Sequence, residues 1–296
     1  MTLLDQLRGI TEPVIVTHDK KFHADELLAI AVIKTALPDR LIRVNRSRDQ
    51  IAWEKADLLI DVGGRNNPFD HHYAGAPVHS NGVPYASCGL VLDAIEPDVK
   101  LRNQLYCDLF YAVEWDDNTP PGEITSPNWN LKPNLLAWVP FFQPLKEEYP
   151  SEYELRECFD KALEMVTAIY QSVRRNAIAK IKNRELADRT TYLVQNGILW
   201  LDNPKTPFYR YVNEHPEVLA VVIPEEKRGY TVKIIRTAPK EPTLRANFPA
   251  VWAGHFDYEL EQIARIRGLT YCSNSGDRIT CSDRKTVEQA LKYLES

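Results

Sequence analysis

The chain contains no apolar run able to span a bilayer. Its longest stretches, such as Val218 to Ile223, fall far short of the roughly 20 residues a membrane helix needs. It also lacks any C-x-x-C pair. Its five cysteines, Cys88, Cys107, Cys158, Cys272 and Cys281, are odd in number, which fits neither a disulfide framework nor a zinc-finger site and implies reduced thiols. No secretory pattern opens the sequence: Asp5 and Arg8 interrupt the first residues and no long apolar core follows. The mix of Asp5, Arg8 and Glu12 argues equally against an Arg-rich transit peptide. Low complexity is absent too, since 44% hydrophobic and 26% charged residues make an ordinary globular composition. The expected setting is cytoplasmic, without a membrane.

What is present begins with length: 296 residues suffice for two domains, each with its own core. A net charge of −5 does not by itself suggest a nucleic-acid partner. The charge is unevenly spread, however. Residues 1–150 hold 14 Lys and Arg against 21 Asp and Glu, whereas residues 201–296 are nearly balanced at 14 against 13. The acidity sits where a cation site would use it.

The first half alternates short apolar segments with helical spacing: strands at Val14–Thr17, Leu41–Asn45 and Asp57–Gly64, with a helix over Ala24–Leu37. That pattern predicts an α/β domain with a mostly parallel sheet. Residues 119–150, rich in Pro and Trp, predict irregular structure and a boundary near Pro150. Glu152 to Asp188 contains neither Pro nor Gly and predicts a long connecting helix. Strands at Thr191–Val194, Val218–Ile223, Thr231–Arg236 and Leu269–Cys272, with helices at Asp257–Ile266 and Lys285–Leu294, predict a smaller mixed α/β domain. The expected division is 1–150, a helical connector over 151–189, and 190–296.

Four clusters carry potential chemistry: "THDKKFHADE" with His18, His23 and Asp25; "IDVGG" with Asp61; "FDHH" with Asp70, His71 and His72; and "VEWDDN" with Glu114, Asp116 and Asp117. Taken singly, each has an ordinary structural explanation: a polar residue after a strand, a glycine turn, a chance pair of histidines, a solvated acidic run. Their setting says more, because all four are expected after strands or in adjoining loops of one α/β domain, where such sheets bind ligands. Mixed imidazole and carboxylate ligands suit Mn²⁺, Fe²⁺ or Zn²⁺ better than Ca²⁺ or Mg²⁺ alone.

The ordered motifs H-x4-H-x-D, D-V-G-G, D-H-H and D-N resemble the DHH phosphoesterase superfamily, which includes RecJ-type exonucleases and family II inorganic pyrophosphatases. More closely, the "THxxxFHxDE" opening, the R-x-R-D element at Arg46, Arg48 and Asp49, and "PKEP" at Pro239–Pro242 resemble the Myg exonuclease family. This resemblance implies a DHH-type catalytic domain and a two-metal hydroxide mechanism, in which ions about 3.5–4 Å apart clamp a phosphoester. It implies one metal on His18, His23 and Asp61, and a second on Asp25, Asp61, His71 and Asp117. His72 would face the substrate phosphate, and Asp70 would orient a metal-ligating imidazole. The implied cofactor is a pair of Mn²⁺ ions, with Mg²⁺, Fe²⁺ or Zn²⁺ as alternatives.

The resemblance weakens near the C-terminus, where a Gly-Gly-His-Arg-like element is replaced by Asp283-Arg284. Arg284 and Arg48 remain candidate substrate contacts, joined by Arg174, Arg175, Lys180 and Lys182 on the connecting helix, which could guide a strand. The implied activity is 3′–5′ exonucleolytic cleavage of RNA or short single-stranded oligonucleotides. A small-molecule phosphatase or pyrophosphatase and a non-catalytic nucleic-acid-binding protein stay open as alternatives. Self-association into a homo-oligomer stays open as well.

Overall fold

A computed structural model describes residues 2–119, 136–144, 150–227, 229–239 and 241–295. The Pro- and Trp-rich stretch expected to be irregular lies largely outside them. Described helices are α1 (Leu3–Arg8), α2 (Ala24–Ala36), α3 (Gln50–Glu54), α4 (Ser87–Ile95), α5 (Val99–Leu105), α6 (Tyr111–Asn118), α7 (Glu152–Arg189), α8 (Tyr209–Glu214), α9 (Asp257–Ala264) and α10 (Arg284–Ala290). Strands are β1 (Val14–Thr17), β2 (Arg43–Arg46), β3 (Leu58–Leu59), β4 (Leu193–Gln195), β5 (Ile198–Trp200), β6 (Ala220–Pro224), β7 (Tyr230–Ile234), β8 (Leu269–Cys272) and β9 (Arg278–Cys281). The chain forms two compact units, Met1–Ile181 and Lys182–Ser296.

In the first unit, β1 lies between β2 and β3, parallel to both. Parallel pairing turns all three carboxyl ends to the same edge, so His18, Ser47 and Asp61 emerge together. The helix after β1 is apolar all round: every residue from Asp25 to Ile33 is buried. A helix of that kind belongs inside a core rather than on its surface. A π turn, Tyr106–Phe110, joins α5 to α6.

The long helix expected after residue 151 is present as α7. Its buried residues, Phe159, Ala162, Leu163, Val166, Tyr170, Val173 and Ala177, follow the three- and four-residue spacing of a single stripe. That stripe is part of the first unit's core, where Phe159 packs edge-on against Phe22 and Tyr170 against Phe110. Much of α7 therefore belongs to the first unit.

The second unit holds a six-stranded mixed sheet in the order β4-β5-β6-β7-β9-β8, antiparallel except between β5 and β6. Successive residues face opposite sides of a strand. Ile198 and Val222 accordingly join one buried cluster, while Leu199 and Val221 join another. Strands β5 and β9 have no counterpart among the sequence expectations.

Candidate metal centre

The centre is assembled from three stretches of the first unit. His18 directly follows β1, and Asp25 and Glu26 occupy the first turn of α2, where negative charge suits the helix N-terminus. The Glu26 carboxylate accepts the backbone N–H of His23 at 2.8 and 3.0 Å, tying the start of the helix to the preceding loop.

Asp61 ends the β3 segment with φ at 60°, a left-handed conformation uncommon for a residue with a side chain. Gly63 and Gly64 continue the turn at φ 101° and 63°. Asp70 closes this loop: one oxygen accepts the Gly64 N–H at 2.6 Å, and the other accepts the His72 N–H at 2.9 Å. Asn67 braces it from within, donating to the carbonyls of Val62 at 2.6 Å and Leu59 at 3.1 Å. The result returns His71 and His72 to Asp61. The "DVGG" stretch is thus a glycine turn, and it also carries the histidines to the site.

The last cluster differs from expectation in its setting. Asp117 and Asn118 are not in a loop but form the end of α6. Leu109, Phe110 and Val113 bury the inner side of this segment, which places Asp117 against His71.

Asp61 is the hub. Its two oxygens lie 3.4 Å from His18 Nε2 and 3.3 Å from His71 Nε2. His71 Nε2 also lies 3.2 Å from Asp117 Oδ2 and 3.9 Å from Asp25 Oδ2, and His18 Nε2 lies 3.1 Å from Glu26 Oε1. Despite these separations, His18 Nε2, His71 Nε2 and both oxygens of Asp25 are buried without a properly directed hydrogen bond. Unpaired buried polar atoms are rare because each forfeits its hydration. Donor atoms that converge without bonding one another fit a cation between them. Potential ligand atoms fall within 4.8 Å of one another in four overlapping groups: His18, His23 and Glu26; Asp61, His71 and His72; His23, Asp25 and Asp117; Asp25, Glu26 and Asp61.

Electrostatics agree with that reading. Burial, reinforced by the carboxylates of Asp61, Asp117 and Glu26, pushes Asp25 well above the ordinary carboxylate range. Burial also opposes ionisation of Asp61, but the imidazoles of His18, His71 and His72 beside it outweigh that effect and hold Asp61 far below that range. For His18, burial lowers the pKa while Asp61 and Glu26 more than compensate, raising it to about 10. A divalent ion would relieve the repulsion among these carboxylates and take the place of the imidazole protons.

His72 stands apart. Its side chain is 59% exposed, and its Nδ1 lies 2.9 Å from Asp70 Oδ1 and 3.3 Å from Asp61 Oδ1. Those carboxylates, Asp61 foremost and Asp70 next, raise its pKa to about 10 against a smaller effect of burial.

Sequence reasoning did not single out two residues of this region. Glu26, fully buried, belongs to two of the four groups; its place beside Asp25 in the first helical turn was the available signal. Ser87 donates to Asp61 Oδ1 at 2.9 Å, and nothing in the sequence marks it. Asn118, the second residue of the D-N motif, contacts His71 Nδ1 at 3.3 Å.

The basic candidates are placed differently. Arg48 pairs with Asp19 at 3.3 Å, next to His18. Arg174 pairs with Glu96 at 3.1 Å and Lys180 with Asp108 at 2.6 Å, whereas Arg175 and Lys182 are exposed. Arg284, in the second unit, lies over the Trp200 ring at 4.6 Å and pairs with Glu288 at 3.2 Å.

Residues 14–295 match the sequence profile of the MYG1 exonuclease family, described as an uncharacterised protein family (UPF0160). A MYG1 protein of Schizosaccharomyces pombe is 24% identical over 312 residues, covering 94% of this chain and 95% of its own. A MYG1 protein of Chlamydia trachomatis is 25% identical, with coverage of 94% and 95%. A rat protein named MYG1 exonuclease is 25% identical, covering 89% of this chain and 80% of its own. No solved structure gives a significant match. With a family profile aligned from the first strand almost to the last residue, the chain belongs to the MYG1 exonuclease family.

Proposed function

We propose that this chain is a metal-dependent phosphodiester hydrolase of the DHH type, acting as a 3′–5′ exonuclease on RNA or short single-stranded oligonucleotides. The observation that carries the reading is the convergence on Asp61 of unpaired imidazole nitrogens and carboxylate oxygens. The exonuclease name of the rat and mouse relatives supports the substrate class.

His18, His23, Asp25, Glu26, Asp61, His71 and Asp117 would hold divalent ions, preferably a pair of Mn²⁺. Divalent ions held there would supply a nucleophilic water at neutral pH and neutralise phosphate charge. Ser87 fixes one Asp61 oxygen by hydrogen bonding. Asp70 holds the His72 ring, leaving its outer N–H to bind a phosphoryl oxygen as charge builds there. Arg48 adds positive charge beside the same edge.

The test is hydrolysis with added Mn²⁺ of RNA oligomers, DNA oligomers, dinucleotides and pyrophosphate. Stepwise release of mononucleotides from RNA 3′ ends is the expected result. Cleavage of pyrophosphate alone would overturn the nuclease reading, and no hydrolysis of any substrate would overturn the enzyme reading.

A further inference from the structure

The Asn118 amide is held at both ends. Its Nδ2 donates to the backbone carbonyl of Glu114 at 2.8 Å, one helical turn earlier, and to that of Tyr85 at 3.2 Å, in the segment leading into α4. Two carbonyl acceptors settle which end of the amide is nitrogen, because the reversed orientation would turn oxygen toward oxygen twice. Asn118 Oδ1 must then face His71 Nδ1, 3.3 Å away. An amide oxygen can only accept, so the imidazole presents Nδ1–H to it. The lone pair of the neutral ring is left on Nε2, the atom directed at Asp61, Asp117 and Asp25. His18 follows the same plan through the backbone, with its Nδ1 3.0 Å from the Asp19 carbonyl. Only the His71 arrangement depends on a side chain that can be exchanged.

We infer that Asn118 is a positioning residue that selects the metal-binding tautomer of His71 and fixes the plane of its ring. It touches neither substrate nor cation, and it acts through His71. The inference rests on the metal reading given above and adds to it a residue that governs affinity from outside the ligand set. Outer hydrogen-bond partners of ligating histidines typically change metal affinity by about 10–100-fold. Here the same residue also spans α6 and the Tyr85 segment, so a purely structural role has to be separated from a tautomer-selecting one.

Two substitutions separate them. Asn118→Leu keeps the approximate volume and removes the acceptor. Asn118→Asp keeps an acceptor for His71 Nδ1–H but loses both donations to the Glu114 and Tyr85 carbonyls. Mn²⁺ affinity is measured by titration of the metal-free full-length proteins, and their melting is followed without metal. The expected pattern is Mn²⁺ binding weakened about 10–100-fold in Asn118→Leu and close to wild type in Asn118→Asp. Equal weakening in both variants, with equally lowered metal-free melting, would assign Asn118 to holding α6 and overturn the inference. Unchanged affinity in Asn118→Leu would overturn it as well. A wild-type chain that binds no Mn²⁺ would instead overturn the metal reading beneath it, and the inference with it.

Discussion

Ser87 Oγ donates a 2.9 Å hydrogen bond to Oδ1 of Asp61, whose backbone sits at φ 60°. A residue with a side chain pays about 1–2 kcal/mol for that conformation, although Asn and Asp tolerate it better than most. Asp61→Asn and Asp61→Ala therefore answer different questions. Both are expected to abolish metal binding, because the central carboxylate charge is gone. In the metal-free state Asp61→Ala should be the less stable of the two by about 1 kcal/mol, since Asn keeps a polar partner for Ser87 and accepts the turn. Metal analysis and denaturant melts decide this; an Asp61→Asn protein with full metal content would remove Asp61 from the centre.

His72 can be separated from the ligands by kinetics. His72→Ala is expected to retain metal while kcat falls by about 10²–10³, the usual loss for a donor that stabilises developing charge. Loss of a metal equivalent would reassign His72 as a ligand alongside Asp61 and His71.

The basic residues of α7 divide into two kinds. Arg174 and Lys180 are committed to Glu96 and Asp108, and replacing either with Ala is expected to lower stability by up to about 1 kcal/mol. Arg175 and Lys182 are exposed. If they meet phosphates, each removal should reduce the salt slope of oligonucleotide binding by about 0.7 while dinucleotide hydrolysis stays constant. An unchanged slope in the Arg175→Ala/Lys182→Ala double variant would leave them as solvated surface.

Glu114 supplies a pH test. Burial pushes its carboxyl up to about 7, while the His79 imidazole 2.9 Å away pulls the other way. Because the folded pKa lies above the unfolded value near 4.5, its contribution to stability is fully present below 4.5 and is lost as pH rises through about 7. Relative to Glu114→Gln, the wild-type protein should lose stability between about pH 5 and pH 8. Urea midpoints at both pH values test this, and a constant difference between the proteins would contradict it.

Much of the first unit was legible because period and chemistry coincide there. Val14–Thr17 reads as a strand, Ala24 onward as a helix, and His18 and Asp61 fall at strand ends by the rules of parallel sheets. What stayed hidden depends on contacts distant in sequence. Ser87 bonds to Asp61 across 26 positions, and His79 meets Glu114 across 35. Gly89 in the middle of α4 reads as a weak helix residue; its reason is steric, since a Cβ there would lie 1.9 Å from Glu114 Oε1. The setting of Asp117 was missed for a related cause. "VEWDDN" looks solvated in isolation, and only burial of Val113 and Glu114 makes it a helix with an inward face.

The helix that carries Asp25 and Glu26 in its first turn is also buried without interruption from Asp25 to Ile33. Core and centre therefore share one helix. Enlarging or trimming Leu27 or Leu28 would shift two carboxylates without touching either. Substitutions at exposed positions such as Arg48 and Arg175 would leave that helix undisturbed. The two carboxylates at the root of the site are thus constrained by the hydrophobic packing of the helix that carries them.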